Sequence, residues 1–395
     1  MKKQLRILTA ILLIFVTTFG MSIEASAAGE VINTDVVRRA DLPDLFASSG
    51  VDCFGVQAMA VSRSSKNCLY AIKIDGDNAN AVLYYFPDIS NWKRKAAFSI
   101  YDAGHANGMT VDTNYIYICA SPKGEEGNEI IRISRKYIED KAALIATEEN
   151  ITVATEILSK GLGDGNYKIM QPMVINPDES QRVSNPYVAY TGGFSTITRA
   201  ESTGKFIIGK GISGVDRSQY NGFTRAEIIN GEFVVSSDPD DIFLVKNSVV
   251  KSDASRQDIY YLQGYGLFIG RWYGGGDTTS PYYHKANNVI LWADIDGTSN
   301  ETYAGYRCYT PDKIKIYMDD YKVDGITVYE KFEVESMGIT ANGNLIATFN
   351  VVYTDAYYKK YISGQNKNIA DRWDGDGVYR INRQDGKTFK LSDKV

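Results

Sequence analysis

A chain of 395 residues could form two average domains, although all-β domains often reach this length as one unit. Hydrophobic residues make up 44% of the chain, which is enough for a large core, and 28 tyrosines favour β-strands. The formal net charge of −5 argues against nucleic acid or anionic lipid as the main partner, because phosphate binding requires clustered Lys and Arg.

The N-terminus has the pattern of a secretory signal peptide over residues 1–27. Lys2, Lys3 and Arg6 carry positive charge, residues 7–19 are apolar, and Ala-Ser-Ala at residues 25–27 precedes the expected cleavage site. The apolar run is short for a membrane span of about 20 residues. We predict cleavage near Ala27 and a secreted or cell-wall-associated product without a membrane span. Its net charge would be −7, because cleavage removes three positive charges and one negative charge.

Helical spacing is confined to two short segments, residues 39–48 and residues 136–145. Elsewhere, short β-branched and aromatic runs alternate with Gly, Asn and Asp turns, which is typical of strands and hairpins. The sequence therefore predicts an all-β protein. We expect residues 28–50 to form an N-terminal segment and residues 51–395 to form a single domain.

A unit of three strands recurs along the chain, and each copy opens with a polar residue. A single sheet of this kind cannot bury both faces, whereas several sheets around an axis can. We therefore predict a β-propeller of about five blades, and a sandwich would not explain the polar openers. Gln171 resembles a further opener, so six blades is the alternative. The five copies cover residues 57–85, 107–133, 224–245, 257–292 and 335–381.

The opening strand of each propeller blade lines the central channel. The polar openers would therefore form a ring that water keeps solvated. His105 directly precedes an opening strand, where it could act as a ligand or proton carrier, or bond to a neighbouring loop. The predicted channel residues are Gln57, His105, Asn107, Arg225, Glu227, Gln257 and Glu335.

An aromatic, glycine-rich loop follows the fourth unit's second strand. Arg271, Trp272 and Tyr273 begin this loop, which continues through glycines and tyrosines to His284. Aromatic rings beside charged side chains suit sugar binding, because the rings stack and the polar groups bond to hydroxyls. The same rings could instead pack on the next blade. A second loop of this kind, or alternatively a short helix, carries Tyr353, Tyr357, Tyr358 and Tyr361 with Trp373.

Three acidic turns could bind calcium, at residues 75–78, 294–297 and 374–377, with Asp374 and Asp376 the best ligands. No turn completes an EF-hand, and Asp-Gly is also common hairpin chemistry. No other cofactor is predicted. Residues 209–214 match the dinucleotide fingerprint, but a strand rather than a helix follows.

Four cysteines without C-x-x-C spacing argue against a zinc site. Export permits disulfides, and Cys53 with Cys68 is the most local pairing. Four free, buried thiols are the other interpretation.

Catalysis would require a pair of carboxylates. Glycosidases use one carboxyl group as an acid and another as a base or nucleophile. Glu227 and Glu335 could form such a pair, with Arg225 or His105 tuning a pKa. However, the chain has only two histidines and lacks the G-x-S-x-G, H-E-x-x-H and P-loop motifs. We favour polar openers that bind water and ligand over a catalytic pair.

Short segments of the opening strands resemble the helveticin J type of secreted, bacteriocin-like proteins. Residues 104–107, 224–227, 257 and 333–337 follow the order of that family's GGH, TRAE, IQG and EVES segments, within residues 55–381. The resemblance implies a five-bladed propeller with a bacteriocin or cell-surface role. The chain departs from the family pattern by having one Gly before His105, Gln257-Asp258 in place of IQG, and a signal peptide.

The function that these patterns favour is a secreted, monomeric, non-catalytic propeller. It would bind a glycan or cell-wall polymer at one mouth of its channel. A polysaccharide-active glycoside hydrolase or lyase and a protein–protein interaction scaffold are the alternatives.

Overall fold

The computed structural model describes residues 29–63, 67–77, 79–120, 129–149, 151–200, 203–247, 255–272, 288–299, 301–316, 322–362 and 375–389. These residues are mainly β-strand, as the sequence predicted. Among them, no helix is both long and apolar enough to cross a membrane.

Short strands follow one another along the whole described chain. The N-terminal strands are β1 (Val31–Asp41), β2 (Leu45–Phe46) and β3 (Asp52–Cys53). The next are β4 (Gly55–Ser62), β5 (Cys68–Ile74), β6 (Asn80–Phe86), β7 (Ala96–Tyr101), β8 (Gly108–Val111), β9 (Tyr115–Ala120), β10 (Glu129–Ser134), β11 (Val153–Leu158) and β12 (Tyr167–Met170). The middle of the chain holds β13 (Pro172–Ile175), β14 (Tyr187–Ala189), β15 (Phe194–Arg199), β16 (Phe206–Lys210), β17 (Tyr220–Ile229), β18 (Glu232–Val235) and β19 (Ile242–Lys246).

The last part of the chain is built in the same way. Its strands are β20 (Ser255–Leu262), β21 (Gly266–Trp272), β22 (Asn288–Ala293), β23 (Glu301–Tyr303), β24 (Tyr306–Tyr309), β25 (Asp312–Ile316), β26 (Lys322–Val323), β27 (Ile326–Thr327), β28 (Tyr329–Ile339), β29 (Leu345–Tyr353) and β30 (Gly377–Arg383). The helices are α1 (Arg135–Ile145), α2 (Asp355–Tyr357), a π-helix (Tyr358–Ile362) and 3-10 turns at Lys160–Leu162, Glu179–Gln181 and Pro239–Asp241.

The strands form five antiparallel units. The first unit is β4-β5-β6-β7 and the second is β8-β9-β10-β12. The third is β15-β16-β17-β19, extended by several short strands. The fourth is β20-β21-β22-β25 and the fifth is β28-β29-β30-β1. The fourth and fifth units join edge to edge, because β25 pairs in parallel with β1.

Each unit buries both of its faces against the neighbouring units. In β6, for example, Leu83 and Tyr85 pack toward the second unit, whereas Val82 and Tyr84 pack toward the fifth. Five separate apolar clusters lie between the first and second, second and third, third and fourth, fourth and fifth, and fifth and first units. Burial on both faces explains why these strands are continuous apolar runs rather than alternating ones.

The N-terminal strand completes the last unit. β1 pairs antiparallel with β30, from Thr34 opposite Arg383 to Asp41 opposite Gly377. Residues 31–41 of the predicted N-terminal segment therefore form a strand of the last unit. The helix predicted over residues 39–48 is wrong, because β1 and β2 occupy half of that stretch and pairing with β30 outweighs the helical spacing.

The second predicted helix is confirmed as α1. Ser134 caps it by accepting a hydrogen bond from the Tyr137 backbone N–H through its side chain, at 3.3 Å. Ile138 and Ala142 are its buried apolar residues, and both pack in the cluster between the first and second units.

Four of the five predicted repeats coincide with the first, second, fourth and fifth units, and the third does not. The third unit begins with β15, whereas the predicted copy begins inside β17. Gln171 lies immediately before β13, a short strand that pairs with β14 and β18 and is not one of the four strands β15-β16-β17-β19.

All four cysteines are buried thiols that form no disulfide, so the Cys53–Cys68 pairing is wrong. Burial raises the pKa of both Cys53 and Cys308 to about 12. A thiol of that pKa is almost entirely protonated at neutral pH and therefore reacts slowly.

We expect an aromatic disulfide reagent to label no thiol in the native protein and four thiols per chain in denaturant without reductant. The absorbance of the released thiolate measures both numbers. Only two reactive thiols in denaturant would indicate a disulfide and contradict this assignment.

Candidate functional site

The first strands of the five units are neighbours in a closed order. β4 contacts β8, β8 contacts β15, β15 contacts β20, β20 contacts β28, and β28 contacts β4 again. We call these five the ring strands. Each ring strand forms the inner edge of its own unit, so the side chains of the five strands meet where the units converge.

One level of the ring is closed by direct contacts. Ser336 of β28 donates a hydrogen bond to the Asp258 carboxylate of β20, and its hydroxyl accepts one from the Met59 backbone N–H of β4 at 3.0 Å. A Cβ atom added to Gly108 of β8 would lie 2.9 Å from the Asp258 carboxylate and 3.1 Å from the Cα of Thr196 in β15. Residues of all five ring strands therefore meet at this level.

A cluster of polar side chains lies on the N-terminal side of that level. The Gln257 amide donates a hydrogen bond to Glu333 at 2.6 Å, which connects β20 with β28. The Asn350 amide donates to Glu335 and accepts a hydrogen bond from the Val56 backbone N–H at 2.8 Å. The two carboxylates are thus held in place between the fourth, fifth and first units.

Glu333 and Glu335 are 4% and 3% exposed, so they lie behind the surface. Gln57, His105, Asn107 and Gln257 are half-buried and retain accessible side chains. We call these four residues the mouth residues, because each lies at or just before the N-terminal part of a ring strand. Buried carboxylates that accept hydrogen bonds restrict the rotamers of their donors, which favours a fixed binding surface.

His105 lies in a turn with unusual backbone geometry. Asp102, Gly104 and Ala106 all have positive φ angles, of 61°, 56° and 48°. Two of these are non-glycine residues, and such strain concentrates at functional positions. Burial lowers the pKa of His105, so its imidazole is mainly neutral at pH 7 and can both donate and accept hydrogen bonds.

The structure separates the predicted carboxylate pair. Glu227 is exposed on β17, the third strand of its unit, whereas Glu335 is buried on a ring strand. Arg225 lies on the same strand as Glu227 and its Nε is 3.7 Å from Asp241. The prediction that this strand lines the ring is therefore wrong, because β15 takes that place.

Most of the predicted aromatic loop lies outside the described residues. Arg271 is buried on β21 and donates a hydrogen bond to the Asn221 side chain at 3.0 Å. Trp272 ends β21, and its side chain lies outside the described residues, as do Tyr273 and His284.

The acidic turns have partners within the protein. Asp376 faces the Lys73 ammonium at 3.1 Å, so a protein cation occupies the position that calcium would need. Asp75 accepts hydrogen bonds from the Ala79 and Asn80 backbone, and Asp294 accepts them from Asp296 and Gly297, which is turn chemistry. Within the described residues, no group of three or more His, Cys, Asp or Glu could hold a metal. Asp374 lies outside them.

Sequence reasoning missed the polar residues that organise the ring. Asp258, Ser336 and Asn350 are buried in strands and bond to one another's units. The available signal was a charged or amide residue inside an otherwise apolar strand, since such a residue requires a partner when buried.

The strand arrangement is similar to several solved structures at very low identity. An α-L-arabinofuranosidase from Lactobacillus brevis is 8% identical, covers 85% of this chain and 94% of its own, and gives a TM-score of 0.42. A glycosyl hydrolase from Bacteroides ovatus is 8% identical over 92% of this chain and 97% of its own, with a TM-score of 0.37. Hydrazine synthase from Kuenenia stuttgartiensis is 11% identical over 82% of each chain, with a TM-score of 0.31.

No protein-family model matches the chain, and no curated protein matches it. The TM-scores of these structures are low, so the likenesses assign no activity to the chain.

Proposed function

We propose that this chain is a secreted five-bladed β-propeller that binds a glycan at the mouth residues without transforming it. The five units, their closed order of contacts and the five apolar clusters support the blade count. The basic and apolar N-terminus with Ala-Ser-Ala at residues 25–27 supports export. In our proposal, glycan binding requires neither calcium at Asp376 nor any other cofactor.

The observation that carries the binding proposal is the set of four half-buried, hydrogen-bonding side chains at or just before the N-terminal parts of three ring strands. Gln57, Asn107 and Gln257 present amide groups, and His105 presents a neutral imidazole. Amides suit sugar hydroxyls because they donate and accept in the same plane. Glu333 fixes the Gln257 amide from behind, which lowers the entropy lost on binding.

A bacterial cell-envelope polymer is the class of glycan that we favour. Export places the protein next to such polymers, and the resemblance to the helveticin J type points to the same location. The neutral-to-acidic charge of the chain is compatible with glycans and unfavourable for nucleic acids.

Non-catalytic binding is favoured over hydrolysis because the carboxylates do not form an open pair. Glu335 is 3% exposed and Glu227 lies on a different unit. A glycosidase requires two carboxyl groups flanking an accessible bond, about 5–10 Å apart.

The double variant Gln57→Ala/Asn107→Ala tests the proposal. Wild type should bind at least one polysaccharide on an array of cell-wall and plant glycans. We expect the double variant to bind that glycan at least tenfold more weakly by calorimetry, about 1.4 kcal/mol. The control is Glu227→Gln, an exposed change outside the ring, which should bind as wild type does.

Three outcomes would reject the proposal. They are no binding to any glycan, unchanged affinity in the double variant, and release of reducing sugar by wild type but not by Glu335→Gln. The third outcome would support the glycoside hydrolase or lyase. A protein captured by cross-linking, with no sugar affinity, would support the interaction scaffold.

A further inference from the structure

A polar groove lies at the end of the ring strands opposite to the mouth residues. It has a volume of about 160 Å³ and lies between the first and fifth units. Asn67 follows β4, and Thr340 and Asn344 form the turn between β28 and β29, so the groove lies at the C-terminal ends of two ring strands. Ile89 and Ile346 are buried in its lining.

Two arginines line this groove without a carboxylate partner. Within the described part of the chain, neither Arg39 nor Arg380 forms an ion pair, and the groove lining contains no Asp or Glu. The Arg380 Nε atom is buried and has no hydrogen-bond partner among the described residues. A buried guanidinium nitrogen without a partner is costly, so this arrangement favours an anionic ligand.

Among the described residues, the neighbouring arginines of β1 and β30 have carboxylate partners, unlike Arg39 and Arg380. Arg38 pairs with Asp41 at 2.8 Å, and Arg383 pairs with Asp385 at 2.6 Å. Arg39 lies at the register shift between Arg38 and Ala40, where a β-bulge redirects a side chain. The bulge and the missing carboxylates set this pair apart within a chain of net negative charge.

The rest of the groove lining suits a sugar ring. Trp92 is half-buried, and its ring packs edge-on against Phe86 with centroids 6.0 Å apart, which fixes its orientation. Indole rings stack on the apolar face of a pyranose. A groove of this size holds one ring of a longer chain rather than a large ligand.

The rim of the groove is already ordered by hydrogen bonds. The Asn67 side chain accepts one from the Ala341 N–H at 3.3 Å. The Thr340 hydroxyl accepts one from the Asn344 N–H at 3.1 Å. Together with Asn342, these residues place three amide side chains beside Trp92, where they can bond to hydroxyl groups.

We infer that this groove binds an acidic saccharide, one that carries a carboxylate on a pyranose ring. Arg39 and Arg380 would bind the carboxylate, Trp92 would stack on the ring, and the asparagine amides would bind its hydroxyls. Guanidinium groups match the planar geometry of carboxylates. The site is distinct from the mouth residues and does not depend on them.

The test uses calorimetry with uronate oligosaccharides of three kinds, built from galacturonate, glucuronate or mannuronate. Each is compared with its own methyl ester, which removes the charge and keeps the ring, and with inorganic phosphate. We expect wild type to bind at least one uronate, with affinity that falls as salt increases. The methyl ester should bind at least tenfold more weakly.

The variants Arg380→Gln and Trp92→Ala should each weaken uronate binding at least tenfold. Arg182→Gln, which changes an exposed arginine far along the chain, should bind as wild type does, and circular dichroism checks that each variant is folded. The variant Gln57→Ala/Asn107→Ala should also bind uronate as wild type does. The result at the groove therefore does not depend on whether the mouth residues bind a glycan.

The inference is overturned if no uronate binds or if the methyl esters bind equally well. It is also overturned if inorganic phosphate binds as tightly as the uronate and Trp92→Ala has no effect, since that would indicate a simple anion site. If uronate binding were lost in Gln57→Ala/Asn107→Ala and unchanged in Arg380→Gln, the uronate would bind at the mouth residues and not in this groove.

Discussion

Lys73→Met is expected to lower the free energy of unfolding by about 3–5 kcal/mol, because it removes the cation that faces the buried Asp376 carboxylate and the part-buried Asp44 carboxylate. The Lys73 side chain is 0% exposed. Its ammonium contacts the Asp44 carboxylate, lies 3.1 Å from Asp376 and donates a hydrogen bond to the Leu42 carbonyl at 3.0 Å.

This ion cluster lies where the ring of units closes. Lys73 belongs to β5 of the first unit, on the strand face that packs toward the fifth unit. Asp376 immediately precedes β30 of the fifth unit, and Asp44 lies in the segment between β1 and β2. The Val351 N–H donates to Asp376 at 2.7 Å and ties β29 to the same cluster. Loss of Lys73 therefore affects three segments that are distant in sequence.

The cluster also predicts a pH dependence. Burial raises the pKa of Asp376 to about 7, and the neighbouring Lys73 ammonium only partly opposes that rise. The ordinary pKa in an unfolded chain is about 3.9. Between these two values the folded state binds more protons than the unfolded state, so the contribution of Asp376 to stability falls as pH rises from about 4 to about 7. The pKa of Lys73 is raised above its usual value, so its contribution stays constant across that window.

Urea unfolding at pH 5 and pH 8 measures both effects. Lys73→Met should be less destabilising at pH 5, where Asp376 can protonate, and Asp376→Asn should flatten the pH dependence of stability. The control is Lys136→Met, because Lys136 pairs with Asp140 on the surface with the two side chains 82% and 60% exposed, and such pairs contribute little. Equal unfolding midpoints for Lys73→Met and wild type would contradict the role of the cluster.

The strands of this fold could be predicted from local sequence more easily than their partners. Apolar runs flanked by turns located four of the five units, because those runs are buried on both faces. The prediction for the third unit is wrong because Thr224–Glu227 in β17 has the same pattern of a polar opening residue. The first strand of this unit is β15, which opens with Phe194 and buries Thr196 and Thr198.

The closure of the ring could not be predicted locally. β1 and β30 lie more than three hundred residues apart, and nothing in either strand specifies the other. Lys73 resembles a residue at a strand end, because its partners Asp44 and Asp376 are distant in the chain. All four mouth residues were among the predicted channel residues, but Glu333 and Asn350 acquire their roles only when β28, β29 and β4 come together.

Gly108→Ala is expected to destabilise the protein by about 1–3 kcal/mol, and Gly108→Val by more, because no space exists for a side chain at the closed level of the ring. The added Cβ would lie 2.9 Å from the Ile197 backbone nitrogen and 2.9 Å from the Asp258 carboxylate. The backbone of β15 cannot move without disturbing β16, and Asp258 cannot move without losing its hydrogen bond to Ser336.

Gly165→Ala is the matched control for this change, since a Cβ at Gly165 meets no atom within 4 Å. An exposed substitution of that kind should change stability by no more than about 0.5 kcal/mol. Chemical unfolding of the three glycine variants and wild type measures the difference. If Gly108→Val unfolded at the wild-type denaturant concentration, β8 would have room beside β15 and β20, and the ring strands would not converge as tightly as these contacts require.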